Sequence, residues 1–400
     1  MKINNFFNFS ESDSEIIFIL LGFRITIKKN KENIILYIIN LFLFNKLINK
    51  LKKINNDKTI LIIEANYYHG ETLVSYAKYL LDIGYNIQFI LNKNLEKENP
   101  FCRFNSNNVY VNYIYMSKPF LKMFLNNNFL SNYKLIFIST DWVYIDHDPF
   151  VIHKNIPHTI KNKTIIIEHD AKNFAKENEE NIIKENRLFT LLPRSYKEYT
   201  TKMINPNYFG EIKKTNNLNK NTIVFIAVGV IHKGYKGHYV LEATIKKLLE
   251  CNIRNFRIDI VGYGDFEIDD SIKDYIRFKG RLGFEELYSS IELSQYLLFL
   301  LDPNNEEHNR YLNENVSGAL QLSLGFSIIP LIDEKFSETF GLNKNNSIIY
   351  KNNDLFSAMV KAINMNQNSY ISLQNELTSL QMKYREESID NIKNYLQYLE

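Results

Sequence analysis

Thr222-Ile-Val-Phe-Ile-Ala-Val228, followed by Gly229-Val-Ile-His-Lys-Gly-Tyr-Lys-Gly237 and the helix-patterned stretch His238 to Leu249, decides the fold. An apolar run, a glycine-bearing loop and a helical repeat make a strand–loop–helix unit. Related units recur downstream. Phe256 to Val261 opens into Gly262-Tyr-Gly264, a short apolar run ends at Phe278-Lys-Gly280, and Tyr296 to Leu301 ends in Asp302-Pro303. Ser317-Gly318 then opens another helix, and Gly325-Phe-Ser-Ile-Ile-Pro330 leads into a last strand. Strands alternating with helices, with glycine or charge at the strand ends, predict an α/β protein with a parallel, doubly wound sheet. Ligands of such sheets sit beyond the carboxyl ends of the strands, where these glycines and charges fall.

The 400 residues suit two domains of moderate size. Hydrophobic residues at 45% and charged residues at 23% are globular values that argue against extensive disorder. A net charge of +3 carries no electrostatic footprint for nucleic acid, so none is expected as a partner. Cys102 and Cys251 form no disulfide framework and suit a reducing, cytoplasmic compartment. No segment reaches the roughly 18 consecutive apolar residues of a spanning helix. The N-terminus lacks a signal peptide's order of basic start, apolar run and small-residue cleavage site.

Residues 1–55 read as an N-terminal extension. Ile16 to Ile27 is an apolar run broken by Gly22, which predicts a small hairpin. Ile34 to Phe44 is apolar apart from Asn40 and is followed by Lys46, Lys50, Lys52 and Lys53, an amphipathic helix with a basic end. Such a helix lies in a membrane interface or packs on the main body with its lysines solvated; both stay open. A first Rossmann-like domain spans 56–205, with strands at Lys58–Glu64, Asn86–Leu91, Val109–Tyr115, Leu135–Ser139 and Thr164–Ile167 and a helix at Thr72–Leu81. Asn205-Pro206 and the polar Lys213 to Asn221 read as a linker. The second domain spans 221–365, and 366–400 is a charged helical segment.

Several strand ends carry chemistry. Asn66-Tyr-Tyr-His-Gly-Glu71 places His69, Gly70 and Glu71 after the first strand, although Glu71 is equally suited to a helix N-terminus. Thr140-Asp141-Trp142 offers an apolar ring beside a hydroxyl acceptor, which suits carbohydrate; a core Trp beside a loop Asp reads the same. Ile165-Ile-Ile-Glu-His-Asp170 delivers Glu168, His169 and Asp170 together, and a His–carboxylate pair can orient or deprotonate a hydroxyl. Pro193-Arg194-Ser195 supplies another cation. Ser317-Gly318 at a helix N-terminus suits phosphate, through free N–H groups and the helix dipole.

Taken together, the order of residues 221–330 resembles the donor-binding half of a GT-B glycosyltransferase. The likeness is to the retaining family-four type (glycosyltransferase group 1) that includes bacterial surface-polysaccharide transferases. It extends over roughly 56–400. The resemblance implies two Rossmann-like domains facing a cleft, the first holding the acceptor and the second a nucleotide-diphosphate sugar. It also implies a final helix crossing back onto the first domain.

Lys236-Gly237 matches the family's Lys-Gly pair, a cation for the departing diphosphate. The family's arginine after Gly229 is Val230 here, so the second cation falls to His232, Lys233 or elsewhere. Gly262 and Gly264 match its close-approach turn, and Lys279-Gly280-Arg281 the stretch bordering the base. Glu306 and Glu314 have the Glu-x7-Glu spacing, yet counting back from Gly325 puts the second carboxylate position on Leu320. Glu307, His308 and Arg310 are expected to line the sugar pocket.

The implied catalytic set is His169, Asp170, Glu307 and Lys236. The implied donor contacts are Gly229, Lys233, Lys236, Gly262, Gly264, Arg281, His308, Arg310, Ser317 and Gly318. His69, Gly70, Glu71, Asp141 and Trp142 form the acceptor set.

The resemblance thus implies a hexosyltransferase using no metal and no cofactor beyond its nucleotide-sugar co-substrate. Its acceptor is a glycan or glycolipid of lipopolysaccharide or capsule, with peripheral contact at the inner membrane left open. Retention is expected, with inversion open because of Val230 and Leu320. A sugar-nucleotide epimerase of the same fold and an inactive carbohydrate- or nucleotide-binding protein are the alternatives. A nicotinamide-dependent oxidoreductase is disfavoured, since Tyr67-Tyr-His-Gly70 is no Gly-x-Gly-x-x-Gly turn.

Overall fold

The computed structural model describes residues 7–11, 15–20, 23–28, 42, 44–52, 57–105, 111–145, 148–170, 180–196, 198–214, 218, 221–230, 238–264 and 268–400. Near the N-terminus β1 (Phe7–Glu11), β2 (Glu15–Leu20) and β3 (Phe23–Lys28) form an antiparallel sheet. The expected hairpin is β2–β3, and β1 adds a strand to it. Most of the apolar segment that begins at Ile34, residues 34–41, lies outside the described residues. Residues 44–52 are helical, and Phe44, Ile48 and Leu51 are buried in the core of the first lobe. That spacing is one stripe of a helix, so this part of the segment packs on protein, with Lys46 and Lys52 exposed.

β4 (Thr59–Glu64) is buried at every position. A parallel strand covered on both faces requires such an unbroken apolar run. The strands that follow are β5 (Asn86–Asn92), β6 (Val111–Met116), β7 (Leu135–Thr140), β10 (Thr164–Glu168), β11 (Leu188–Thr190) and β14 (Lys202–Met203). They join β4 in a seven-stranded parallel sheet, ordered β14-β11-β10-β7-β4-β5-β6. Two short ribbons, β8 (Trp142–Ile145) with β9 (Asp148–Val151) and β12 (Ser195–Tyr196) with β13 (Tyr199–Thr200), lie outside it.

The second lobe carries β15 (Ile223–Val228), β16 (Phe256–Val261), β17 (Ile276–Gly280), β18 (Tyr296–Leu298), β19 (Ile329–Asp333) and β20 (Ile348–Tyr350). They form a parallel sheet ordered β17-β16-β15-β18-β19-β20. β19 is therefore not the last strand. β20 is three residues long between asparagine-rich turns, too short for a periodic signal. Both sheets start in the middle, wind out to one side and return to the other. The reversal falls between β4 and β7 and between β15 and β18, where the carboxyl ends open a crevice.

The helices that position the site are α1 (Leu73–Asp82), α2 (His238–Glu250), α3 (Phe284–Glu292), α4 (Gly318–Phe326), α5 (Leu355–Ile363) and α6 (Gln367–Tyr398). Gly325 lies inside α4, and the chain runs from there into β19. α6 is capped by Asn366, whose side chain accepts the Ser369 N–H at 2.9 Å. Its first turns bury Tyr370 and Leu373 in the second lobe's core, and its last turns bury Ile392, Tyr395 and Leu396 in the first lobe's.

The crossing between lobes is held by buried polar groups. The Tyr79 hydroxyl donates to the Asn205 carbonyl at 2.8 Å, and the Asn205 N–H donates to Ser388 Oγ at 2.9 Å. Gly210 has φ +101°, and a Cβ there would sit 2.4 Å from the Arg103 carbonyl oxygen, so only glycine lets the chain pass so close.

Candidate functional site

Glu64 ends β4 and is fully buried. Its carboxylate accepts the Asn66 N–H at 2.7 Å, the Thr140 hydroxyl at 2.8 Å and the Ser139 hydroxyl. Burial outweighs these contacts and raises its pKa to about 7. Glu168 ends β10 and is also buried; one carboxylate oxygen accepts the Asp170 N–H at 2.9 Å and the other has no hydrogen-bond partner among the described residues. Burial, with the charges of Asp141 and Asp170 adding to it, raises Glu168 to about 8.

Beside these acids the imidazoles of His69 and His169 stack, with centroids 4.1 Å apart and planes at 28°. His169 Nε2 donates to the Ser139 carbonyl at 3.1 Å, which leaves a lone pair on Nδ1. Burial and the neighbouring His69 hold its pKa well below the usual range, so His169 is neutral. His69 is 32% exposed, and its Nδ1 lies 3.7 Å from the Glu71 carboxylate. Burial works against its charge, but Glu71, Glu64 and Glu168 outweigh that and raise its pKa. Two imidazoles this close do not both take the second, charging proton, and the surrounding carboxylates favour His69 as the one that does.

In the second lobe β18 stops at Leu298. Leu300 then adopts φ +51°, a left-handed conformation that side chains other than glycine seldom take. The turn brings Asp302 to a buried position, where it accepts the Asn304 N–H at 2.9 Å, the Asn353 amide at 2.7 Å and the Tyr239 hydroxyl. His308 is buried, and its Nδ1 accepts the Asp302 N–H at 2.8 Å. It pins this turn and does not line an open pocket, contrary to the expectation from sequence. Glu307 is exposed, in the first turn of a short 3-10 segment, with its N–H on Asn305. Ser317 caps α4, and Gly318 is exposed with open space around its Cα. Gln321 one turn on is buried, with neither amide atom partnered among the described residues. Leu320, the position counted for a carboxylate, is wholly buried in the apolar core.

The lobes meet where β10 ends. Asp170 forms a β-bridge with Asn315 and an ion pair with Arg310 at 3.3 Å. The Asn315 side-chain amide fits between the two groups. Arg194, itself buried, donates to the Asn315 carbonyl at 3.0 Å. Gly70 allows a further approach, since a Cβ there would lie 2.8 Å from Leu95 Cδ2 and 3.3 Å from Phe284 Cζ.

The structure thus brings His69, Gly70, Glu71, His169, Asp170 and Arg310 together, two residues from Ser317 through Asn315. It does not bring Asp141. That carboxylate is buried and committed to His153, accepting its N–H at 2.9 Å and meeting its ring Nδ1 at 2.5 Å. The acceptor role expected of Asp141 is therefore corrected to a structural one. Trp142 is half-buried at the start of β8, in a ribbon outside the sheet.

Gly229 donates to the Val261 carbonyl at 2.9 Å, and its own carbonyl would lie 2.0 Å from a Cβ on Gly262. Gly262 and Gly264 have φ +141° and +151°. Arg281 pairs with Glu98 of the first lobe. Lys233 and Lys236 lie outside the described residues. Sequence reasoning missed Glu64, whose one signal is a carboxylate ending an otherwise apolar strand.

No known family's pattern matches the chain, and no curated protein matches it in sequence. Solved structures do match in fold. One is Anabaena HepE in complex with UDP and glucose, with a TM-score of 0.53 and 12% identity, covering 85% of this chain and all of that one. Another is an alpha-glucosyltransferase in complex with UDP and a 13-mer DNA, with a TM-score of 0.51 and 12% identity over 84% of this chain. At such identities the likeness shows the fold, which is the two Rossmann-like domains of GT-B glycosyltransferases. Among the described residues no His, Cys, Asp or Glu cluster could hold a metal, and no helix is long and apolar enough to cross a membrane.

Proposed function

We propose that this chain is a glycosyltransferase that moves a sugar from a nucleoside diphosphate to an acceptor hydroxyl in the cleft. The observation that carries the reading is the stacked His69–His169 pair, tied by the Asp170–Arg310 contact to the loop before the Ser317–Gly318 helix tip. UDP in both matched structures supports a UDP-sugar as donor.

In this reading the diphosphate rests at the N-terminus of α4, with Lys233, Lys236 and Arg310 meeting its charge without a metal. The acceptor hydroxyl gives its proton to His69 Nε2, while Glu71 orients the ring through Nδ1. The acceptor oxygen bonds to the anomeric carbon as the bond from that carbon to the phosphate oxygen breaks, and the nucleoside diphosphate leaves. His169, neutral, holds the stack.

A single displacement of this kind inverts the anomeric centre. The family-four likeness implies retention instead. The burial of Leu320 where that family has a carboxylate favours inversion. A lipopolysaccharide or capsule glycan as acceptor, at the cytoplasmic face of the membrane, is proposed on the resemblance.

A thermal-shift screen with UDP, GDP, ADP and CMP, followed by radiolabelled UDP-glucose with and without a glycan panel, tests the reading. A ligand at 100 times its dissociation constant stabilises the native state by about 2.7 kcal/mol, so UDP should stand out. Lys236→Ala should shrink its shift. Conversion of the sugar nucleotide without acceptor would identify an epimerase, and no shift with any nucleotide would end the proposal.

A further inference from the structure

Next to the base, at the mouth of the cleft, tyrosines from both lobes converge. Tyr67 and Tyr68 lie in the loop that follows β4, their rings 3.8 Å apart, and Tyr68 adjoins His69 in the chain. Tyr263 stands on the turn between Gly262 and Gly264, whose left-handed backbone turns the ring outward. Tyr68 is 60% and Tyr263 63% exposed. Arg281 joins them, its guanidinium 5.8 Å from the Tyr263 ring centroid and paired to Glu98 of the first lobe. The lobes approach closely here, since a Cβ on Gly70, two residues after Tyr68, would lie 3.3 Å from Cζ of Phe284, three residues after Arg281.

Exposed rings clustered among polar groups mark a binding surface, because bare aromatic area gains by being covered. A pyranose fits this one. Its axial C–H face suits a tyrosine ring, and its equatorial hydroxyls can donate to the Glu98 carboxylate beside them. The rim straddles both lobes and borders His69, so its occupant is continuous with the attacking sugar. We propose that Tyr68 and Tyr263 form a platform for the second ring of an oligosaccharide acceptor, which makes the enzyme an extender of glycan chains and not a modifier of single sugars. The proposal rests on the glycosyltransferase reading above.

The test has separate arms for the two readings. UDP is titrated calorimetrically into wild type, Tyr68→Ala and Tyr263→Ala, and the same proteins are applied to a printed glycan array. Glycans that the array retains are then titrated as mono-, di- and trisaccharides. Expected is at least tenfold tighter binding of the disaccharide than of the monosaccharide. Each alanine variant should weaken the disaccharide about tenfold, with UDP affinity unchanged and binding restored by Tyr68→Trp or Tyr263→Phe.

Equal binding of mono- and disaccharide by wild type, or retention of no glycan, overturns the platform. So does a loss of UDP affinity in the alanine variants, which would place the nucleotide base on these rings. Absence of UDP binding in wild type counts against the transferase reading itself. Both tyrosines are exposed, so the variants are expected to fold, and the wild-type comparison decides even where one does not.

Discussion

The guanidinium of Arg103 lies 2.5 Å from the carboxylate of Glu292, with the two side chains 1% and 3% exposed. Arg103 belongs to the first lobe and Glu292 ends α3 in the second. The same guanidinium reaches Glu285 at 3.2 Å and Ser289 at 3.0 Å, and Glu292 also accepts the Lys213 N–H at 2.7 Å. One buried ion pair therefore joins the loop after β5 to α3, and its carboxylate also holds the crossing segment.

Removing that cation strands a buried carboxylate. Arg103→Met is expected to cost about 3–5 kcal/mol of unfolding free energy, and adding Glu292→Leu should recover most of it. Urea denaturation of the single and double variants measures both. A single-variant loss under about 1 kcal/mol would show that solvent already reaches the pair.

The buried acids predict how stability depends on pH. Glu168 goes from an ordinary 4.5 to about 8, and Glu64 from 4.5 to about 7. The folded chain then holds more protons than the unfolded chain, so stability falls as pH rises from about 4.5 to about 8. Glu168→Gln should flatten that fall, narrowing the gap between urea midpoints at pH 5 and pH 9. An unchanged gap would mean that Glu168 is ionised in the fold.

His69 has a linkage of the same sign. Its raised pKa contributes stability that is complete below the ordinary 6.5 and is lost as pH climbs through the folded value. As the proposed base it works unprotonated, so transfer should speed up as pH rises through that same raised value. His69→Gln is expected to lower kcat about 10²–10⁴-fold and abolish the limb. A pH–rate profile of that variant matching the wild type would remove His69 from the mechanism.

Gly262 is the backbone test. With φ +141° and a Cβ that would lie 2.0 Å from the Gly229 carbonyl oxygen, Gly262→Ala must move β15's exit loop or the turn itself. Such strain costs about 1–3 kcal/mol. Lower thermal stability and weaker UDP binding are expected together, read by melting and calorimetry. Neither changing would show that the two turns do not touch.

Much of the site was legible where strand ends carry charge, because a buried parallel strand announces itself and its last residue falls at the ligand edge. His69, Glu71, His169 and Asp170 were named from strand ends, Ser317 from a helix start and Arg310 from the resemblance, and their part in the reaction is what is proposed above. Asp141 was misjudged by the same logic, since it ends β7 with the same local pattern but turns inward to His153. His308 was misjudged because its hydrogen bond to the Asp302 N–H depends on a turn formed by a left-handed Leu300. Glu64 went unnoticed because its apolar neighbours mark a buried strand without showing whether its last residue turns inward.

What the chain's order of residues determined alone is the doubly wound architecture. Apolar runs long enough to be covered on both faces, separated by glycine loops and helical repeats, admit few other folds. Only the tertiary structure decided which polar side chains meet: that His169 stacks on His69, that Asp170 finds Arg310, and that tyrosines of both lobes share one rim. Those pairings join segments far apart in the chain, and their protonation is set by burial, which packing of the whole molecule creates.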